Sequence, residues 1–236
     1  MATLLHLDSS ARPGRSGHDP HGSHSRRLSA RFIQRWCAAR PDDPVIRRDV
    51  GLEPPPPVSG GWIHAAFTPP EARTAAMRAT LRLSDALVDE LVAADIVVAG
   101  VPLYNFGVPA QMKAYIDNIV RVGRTFGFDR ARAGEPYWPL LTGYGKTLVV
   151  LSSRGDYGYA PGERLASLNH VEPHLRTAFG YIGITDLHSV AIEYDEFADD
   201  RLARSIAAAE SDVDALVDRL LAARAQPVRE RTAHPA

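Results

Sequence analysis

Runs of consecutive apolar residues alternate with helical stripes along the chain. The apolar runs predict strands over residues 3–7, 44–50, 95–102, 146–153 and 185–194. Apolar residues spaced three or four apart predict helices over residues 25–38, 81–94, 108–119, 168–182 and 199–223. Because strand and helix patterns alternate without an internal repeat, we expect one α/β domain with a parallel sheet and right-handed crossovers.

The order 2-1-3-4-5 is the economical arrangement for five such strands, with helices on both faces of the sheet. A sheet of this order binds its ligand beyond the carboxyl ends of the strands, around the point between strands 1 and 3. The loops to inspect therefore follow Leu7, Val101 and Leu151. We expect a domain over residues 1–224 with long loops at about 11–24 and 51–72, and a disordered tail over residues 225–236.

The bulk composition excludes several classes of partner. A formal net charge of −1 gives no long-range attraction for nucleic acid or for an anionic membrane. Cys37 is the only cysteine, so an internal disulfide and a cysteine-based metal site are excluded. The apolar start is too short for a signal peptide, and no run reaches the roughly 18 apolar residues of a membrane helix. We expect a cytoplasmic protein.

The loop after the first strand carries hydroxyl groups directly before a helix, at Ser10, Ser23 and Ser25. A helix N-terminus offers free N–H groups and a favourable dipole to a phosphate. Neither Gly-x-Gly-x-x-Gly nor the Gly-Lys-Ser/Thr of a P-loop is present, so a monophosphate fits better than a di- or triphosphate. The alternative is that Ser25 only caps the helix.

Three histidines at three-residue intervals, His18, His21 and His24, raise the question of a metal site in the same loop. Pro20 and Gly22 argue against a regular helix there, so the spacing does not place the three side chains on one face. A polar insert is the favoured interpretation, and no metal is predicted.

The loops after the third and fourth strands complete the predicted site. In "PLYNFG", Tyr104 and Phe106 could flank a flat ring whose edge is read by backbone groups and by Asn105. In "SSRG", Gly155 allows close backbone approach, and Arg154 could balance negative charge on a ligand or pair with Asp156 at the surface. The three loops together offer a phosphate site, backbone groups that contact the edge of a flat ring, and a second surface beside that ring. This combination favours flavin mononucleotide (FMN) over a dinucleotide.

The same segments resemble a known family. "VPLYNFGVPAQMKAYIDNIVRVGRTF" is similar to the flavin loop and following helix of FMN-dependent NADH:azoreductases, which also reduce quinones. "LSSRG" resembles their loop after the fourth strand and "FGYIGITDLHSVAIE" their last helix-to-strand passage, and the similarity extends from Met1 to about Ala223. The resemblance implies a flavodoxin-like fold and two-electron ping-pong reduction of quinones, azo compounds or both, with NADH or NADPH as the transient co-substrate.

The resemblance also implies a set of site residues and a homodimer. The phosphate and ribityl end of FMN is assigned to Ser10, Ser23, His24 and Ser25, and the isoalloxazine to Pro102, Leu103, Tyr104, Asn105, Phe106, Ser153 and Gly155, with Arg154 beside them. The partner subunit is expected to lend aromatic residues over the flavin, with Phe126, Phe128 and Trp62 or Phe67 as candidates. No side chain is required as a nucleophile, and Tyr157, Tyr159 and His170 are candidate proton donors to the acceptor.

Two departures from the family pattern bear on function. The insert between Ser10 and Ser23 is longer than expected, and Asp156 stands where the family tends to have a second glycine. A carboxylate near the ring would disfavour an anionic reduced flavin unless Arg154 offsets it. A second class of function stays open, namely an electron carrier or regulatory flavin-binding protein without turnover of its own. The net charge of −1 and the aromatic loop argue against it.

Overall fold

The apolar runs form a five-stranded parallel sheet in the computed structural model, which describes residues 1–225. In chain order the elements are β1 (Leu4–Asp8), α1 (His24–Ala39), β2 (Val45–Asp49), α2 (Gly60–Phe67), α3 (Ala75–Ala93), β3 (Ile96–Pro102), α4 (Ala110–Ile119), β4 (Phe126–Phe128), β5 (Tyr137–Pro139), β6 (Thr147–Ser153), α5 (Glu172–Tyr181), β7 (Asp186–Ile192) and α6 (Asp200–Ala225). The last of these includes Ala225 from the predicted tail, whose residues 226–236 lie outside the described part of the chain.

The order of the parallel strands is β2-β1-β3-β6-β7. Counting only the strands of this sheet along the chain, this is the predicted order 2-1-3-4-5, which is confirmed. The register aligns Asp8 with Asp49 on one side and with Gly100 on the other, and it aligns Pro102 with Ser153. The carboxyl ends of β1, β3 and β6 therefore lie side by side.

Helices cover both faces of the sheet. On one face Leu5, Leu7 and the alternate residues of β3 and β6 pack with α3, α4 and α5. On the other face Leu4 and the intervening residues of the same strands pack with α1 and α6. Every residue of β3 and β6 is buried, which accounts for the apolar run at the centre of each strand. No helix among residues 1–225 combines the length and apolarity needed to cross a bilayer.

The segment 51–72, predicted as an irregular loop, contains the helix α2. Ser59 caps this helix by accepting from the Trp62 amide, and the four prolines before it remain non-helical as expected. Buried Arg121 holds α2 in place, because it donates to Ser84 Oγ at 2.6 Å and lies 5.5 Å from the Trp62 ring centre. Burial lowers the pKa of Arg121, against the opposing effect of Asp85.

Three further differences concern short elements and the starts of helices. The antiparallel pair β4–β5 was not predicted, because strands of three residues have too few positions to show a period. Pro109 lies within the predicted helix 108–119, but it is the N-cap residue of α4, with φ of −54° and ψ of 149°. Leu168 was expected in the fourth helical stripe and lies instead in a short 3-10 turn before α5.

Gly100 is required where β3 passes under α1. A Cβ at this position would lie 2.3 Å from Asp8 Oδ1 and 3.3 Å from the Ser25 carbonyl oxygen. Asp8 cannot move aside easily, because Ser29 Oγ donates to the same Oδ1 at 2.7 Å.

We therefore expect Gly100→Ala to lower the free energy of unfolding by about 2 kcal/mol through overpacking. Denaturant titration of the purified variants measures this change. Gly60→Ala is the matched control, because a Cβ at that helical position meets nothing within 4 Å and should leave stability unchanged or slightly raised. Equal stability of the two variants would contradict the close contact.

Candidate functional site

A cleft opens at the carboxyl edge of the sheet, where the loops after β1, β3, β6 and β7 meet. It is lined by Ser10, Arg12, Ser23, His24, Pro102, Leu103, Tyr104, Ser153, Arg154, Gly155, Asp195 and Glu196. Nine of these were predicted as cofactor-binding residues, and Arg12, Asp195 and Glu196 were not. Ser25, Asn105 and Phe106 were predicted but do not line the cleft itself.

The start of α1 presents free backbone donors to the cleft. Ser23 is the N-cap residue, since its Oγ accepts from the Arg26 amide, so the alternative that Ser25 caps the helix is wrong. The backbone amides of the buried residues His24 and Ser25 donate to no other group within residues 1–225. Ser23 Oγ and Ser25 Oγ lie 3.0 Å apart beside them. Two unpaired amides and two hydroxyls at a helix N-terminus are a donor set suited to an anion.

The His24 side chain joins this loop to the loop after β7. Its Nδ1 lies 2.7 Å from Ser16 Oγ and its Nε2 lies 3.1 Å from Asp195 Oδ1, while Arg12 approaches Asp195 Oδ2 at 3.5 Å. The hydrogen bond with His24 holds the pKa of Asp195 below its usual range. His24 therefore has a structural partner on each ring nitrogen, whereas His18 and His21 are exposed.

The loop after β3 is a tight turn with unusual backbone angles. Tyr104 and Gly107 exchange two backbone hydrogen bonds, of 3.0 and 3.1 Å, and the residues between them have positive φ, +46° at Asn105 and +72° at Phe106. Two such residues in succession define a type I′ turn. Positive φ is tolerated by asparagine but strains phenylalanine, and strain of this kind concentrates at functional sites.

Tyr104 connects the turn to the β1–α1 loop. Its hydroxyl accepts from the Ala11 amide at 3.3 Å and lies 3.4 Å from Ser10 Oγ. Gln111, in the first turn of α4, donates to the Ser9 carbonyl oxygen at 3.0 Å. The Tyr104 turn and the β1–α1 loop are thus fixed to each other on adjacent strands.

The loop after β6 holds its charges in fixed pairs. Arg154 is buried and bonded to Glu172 and Glu193. The alternative from the sequence, a surface pair of Arg154 with Asp156, is therefore wrong. Asp156 instead pairs with Arg164, and this hydrogen bond lowers the pKa of Asp156.

Gly155 and Glu196 meet at the edge of the cleft. A Cβ on Gly155 would lie 2.4 Å from Glu196 Oε1, and the Glu196 amide donates to the Gly155 carbonyl oxygen at 3.1 Å. Gly155 therefore allows the loop after β7 to lie directly against the loop after β6, which brings two carboxylates to the cleft.

None of the three candidate proton donors lines the cleft. The Tyr157 ring stacks on Tyr194 with 4.7 Å between the ring centres, and the Arg164 guanidinium lies 4.2 Å from the Tyr157 ring centre. Tyr159 is buried beside Arg154, and burial raises the pKa of its hydroxyl. His170 is exposed and donates through its backbone N–H to the Phe106 carbonyl oxygen at 2.9 Å.

The sheet order and the loops at its switch point define a doubly wound α/β protein with a cleft beyond the carboxyl ends of its strands, where proteins of this class bind their ligands. A family model described as a flavodoxin-like fold matches residues 2–217. The chain therefore belongs to this flavodoxin-like family.

Relatives and solved structures agree with this assignment. The chain is 42% identical to FMN-dependent NADH:quinone oxidoreductase 2 of Idiomarina loihiensis, over 93% of this chain and 91% of that protein. It is 46% identical to FMN-dependent NADH:quinone oxidoreductase of Opitutus terrae, over 94% of this chain and the whole of that protein. The structure of azoreductase AzrA superposes with a TM-score of 0.79 at 25% identity, over 92% of this chain and 100% of that one.

The strain at Phe106 can be tested with a pair of variants. Both Phe106→Gly and Phe106→Ala remove the ring, but only glycine relieves the left-handed backbone. We expect the glycine variant to exceed the alanine variant by about 1 kcal/mol in free energy of unfolding. At a position with negative φ the order would be reversed, so a more stable alanine variant would contradict the type I′ turn. Thermal and denaturant unfolding of the two proteins decide between these outcomes.

Proposed function

We propose that this chain is an FMN-dependent NAD(P)H oxidoreductase that reduces quinones, azo compounds or both. The observation that carries the proposal is the pair of unpaired amides of the buried residues His24 and Ser25 at the start of α1, where Ser23 and His24 line the cleft together with Tyr104. The names of the relatives, FMN-dependent NADH:quinone oxidoreductases at 41–46% identity, supply the reaction class. We propose that residues 1–224 act as one domain.

The donor set fits FMN. The amides of His24 and Ser25, with the hydroxyls of Ser10 and Ser23, would bind the phosphate, because hydroxyls and helix-terminal amides suit a monophosphate. The isoalloxazine would contact the segment Pro102–Phe106 on one side and Ser153 and Gly155 on the other. The cleft also holds Asp195, whose carboxylate would repel a phosphate. The pairing of Asp195 with His24 and Arg12 reduces this repulsion.

When bound, FMN would supply the hydride and two-electron chemistry that links NAD(P)H to the acceptor. The chain's own groups orient NAD(P)H and the acceptor. We propose that these two molecules occupy the same open face of the flavin in turn. The pairing of Asp156 with Arg164 reduces the effect of that carboxylate on charge at the ring. Arg154 contributes no free positive charge, because Glu172 and Glu193 already hold its guanidinium. With a nicotinamide nucleotide as donor, the cytoplasm is the compartment we propose.

The visible spectrum tests this function. We expect the purified protein, after incubation with FMN, to be yellow, to bleach on anaerobic addition of NADH or NADPH, and to regain its colour when a benzoquinone is added. Direct bleaching to the two-electron state supports an enzyme, whereas accumulation of a one-electron form would favour an electron carrier. A protein that stays colourless with excess FMN would overturn the proposal.

We further propose a homodimer. Four aromatic rings cluster beside the β4–β5 pair, with Phe126 and Tyr181 5.3 Å apart and Phe128 and Tyr137 4.7 Å apart. Tyr137 and Tyr181 remain 48% and 41% exposed, and large exposed aromatic residues are enriched at interfaces. Phe126 and Phe128 were candidate contacts from the sequence, and this aromatic cluster is the surface we propose for the partner. Trp62 lies instead against Arg121, which leaves Phe67 as the exposed alternative.

Light scattering after size exclusion tests the dimer. We expect the wild-type protein at twice the chain mass of 25.7 kDa, and Tyr181→Arg at the chain mass, because an unpaired charge at the centre of an interface is costly. Tyr144→Arg is the control, since Tyr144 is 67% exposed and lies outside the aromatic cluster. A dimer that persists in Tyr181→Arg would exclude this surface, and a monomeric wild-type protein would exclude the dimer.

A further inference from the structure

Arg26 is a buried cation in the first turn of α1 that does not line the cleft. Its Nε donates to the Arg12 carbonyl oxygen at 2.9 Å and its Nη2 to the Ser10 carbonyl oxygen at 2.8 Å. These two carbonyl groups belong to the strand-to-helix loop whose residues Ser10 and Arg12 line the cleft. One guanidinium therefore fixes the backbone of that loop from its inner side.

Asp49, at the end of β2, holds the guanidinium itself. Nη1 and Nη2 of Arg26 donate to Asp49 Oδ2 and Oδ1 at 2.6 and 2.7 Å, which is a bidentate pair. Gly51 follows closely, and a Cβ there would lie 2.1 Å from the Ser10 carbonyl oxygen and 2.8 Å from Arg26 Nη2. The chain after β2 is thus shaped to bring Asp49 against Arg26 and the β1–α1 loop.

The Arg26–Asp49 pair also affects the net charge close to the start of α1. Asp8 Oδ2 lies 3.6 Å from Arg26 Nη1, and Asp8 is further bonded to Ser29 and to His6. Burial by itself lowers the pKa of Arg26, but the hydrogen bond to Asp49 and the charges of Asp8 and Asp49 outweigh it and raise the pKa. Without the guanidinium, Asp8 and Asp49 would stand unneutralised directly behind the amides of α1.

We propose that Arg26 is a positioning residue for the phosphate of the flavin, acting through the Ser10–Arg12 loop and through the charges of Asp8 and Asp49. The inference rests on the function proposed above and assigns a task to residues outside the cleft. Arg26 uses Nε, Nη1 and Nη2 together, in the planar fork that only arginine provides. Lysine keeps the charge but can neither make the bidentate pair nor bind both carbonyl groups in one plane.

The experiment measures the affinities of the full-length apoprotein for FMN and for riboflavin, which lacks the phosphate, by quenching of flavin fluorescence. We expect wild-type protein to prefer FMN. Arg26→Lys should weaken FMN binding by about tenfold or more and leave riboflavin binding within about twofold, because the change acts on the phosphate end. Asp49→Asn should lose FMN affinity in the same direction. Arg31→Gln is the matched control. Arg31 lies on α1 like Arg26, and it makes a similar bidentate pair with Asp214 of α6, away from the Ser10–Arg12 loop.

Hydrogen exchange of the peptide spanning residues 9–15 in the flavin-free protein gives a second readout that does not depend on the cofactor. Faster exchange in Arg26→Lys than in Arg31→Gln supports the proposal. Wild-type affinity for FMN in Arg26→Lys, or an equal loss of FMN and riboflavin binding, would overturn it. Failure of the wild-type protein to bind any flavin would overturn the proposed function instead, and the exchange rates would still report whether Arg26 holds the loop.

Discussion

The burial of β3 and β6 on both faces is the constraint from which the rest of the structure follows. Because every residue of these strands is buried, neither strand can carry an exposed polar group along its length. Exposed polar groups can begin only beyond the carboxyl ends of the two strands, where Pro102 and Ser153 are register partners. The residues that line the cleft are therefore gathered at one edge of the sheet, and the loops there are held against one another by contacts such as that of Tyr104 with Ala11.

The same constraint explains which parts of the fold were predictable. Unbroken apolar runs specify central parallel strands, so the sheet order and the loops at its switch point followed from the sequence. The helix α2 was missed because its start, Gly60 and Gly61 after four prolines, is typical of a loop, and Ser59 and Arg121 compensate through a cap and a long-range contact. The pair β4–β5 is too short to have a detectable period, and its aromatic rings pack against each other across the two strands.

Within the site, the groups that follow the central strands were predictable and the groups that reach it from elsewhere were not. Ser10, Ser23 and Tyr104 lie in loops that the sheet order selects. Asp195 and Glu196 follow the edge strand β7, and they reach the cleft only because their amides bond to the carbonyl groups of Arg154 and Gly155. The partners of Arg154 are likewise far away in sequence, at Glu172 and Glu193, so no local pattern distinguishes them from the nearby Asp156.

Arg26, Asp49 and Asp8 bear on why a buried ionic cluster lies under the cleft at all. Removing charges from water is expensive, and a well-packed apolar group of similar size is often as stabilising as a buried ion pair. The ion pair by itself therefore does not account for a guanidinium at this position. An apolar side chain would leave the carbonyl groups of Ser10 and Arg12 without their donors, and each buried, unpaired carbonyl costs about 1–3 kcal/mol. The loop would then turn these groups towards water, and the hydroxyl and amides that face the cleft would lose their common orientation. The buried ionic cluster therefore serves to hold a polar loop in one conformation at the end of an apolar strand.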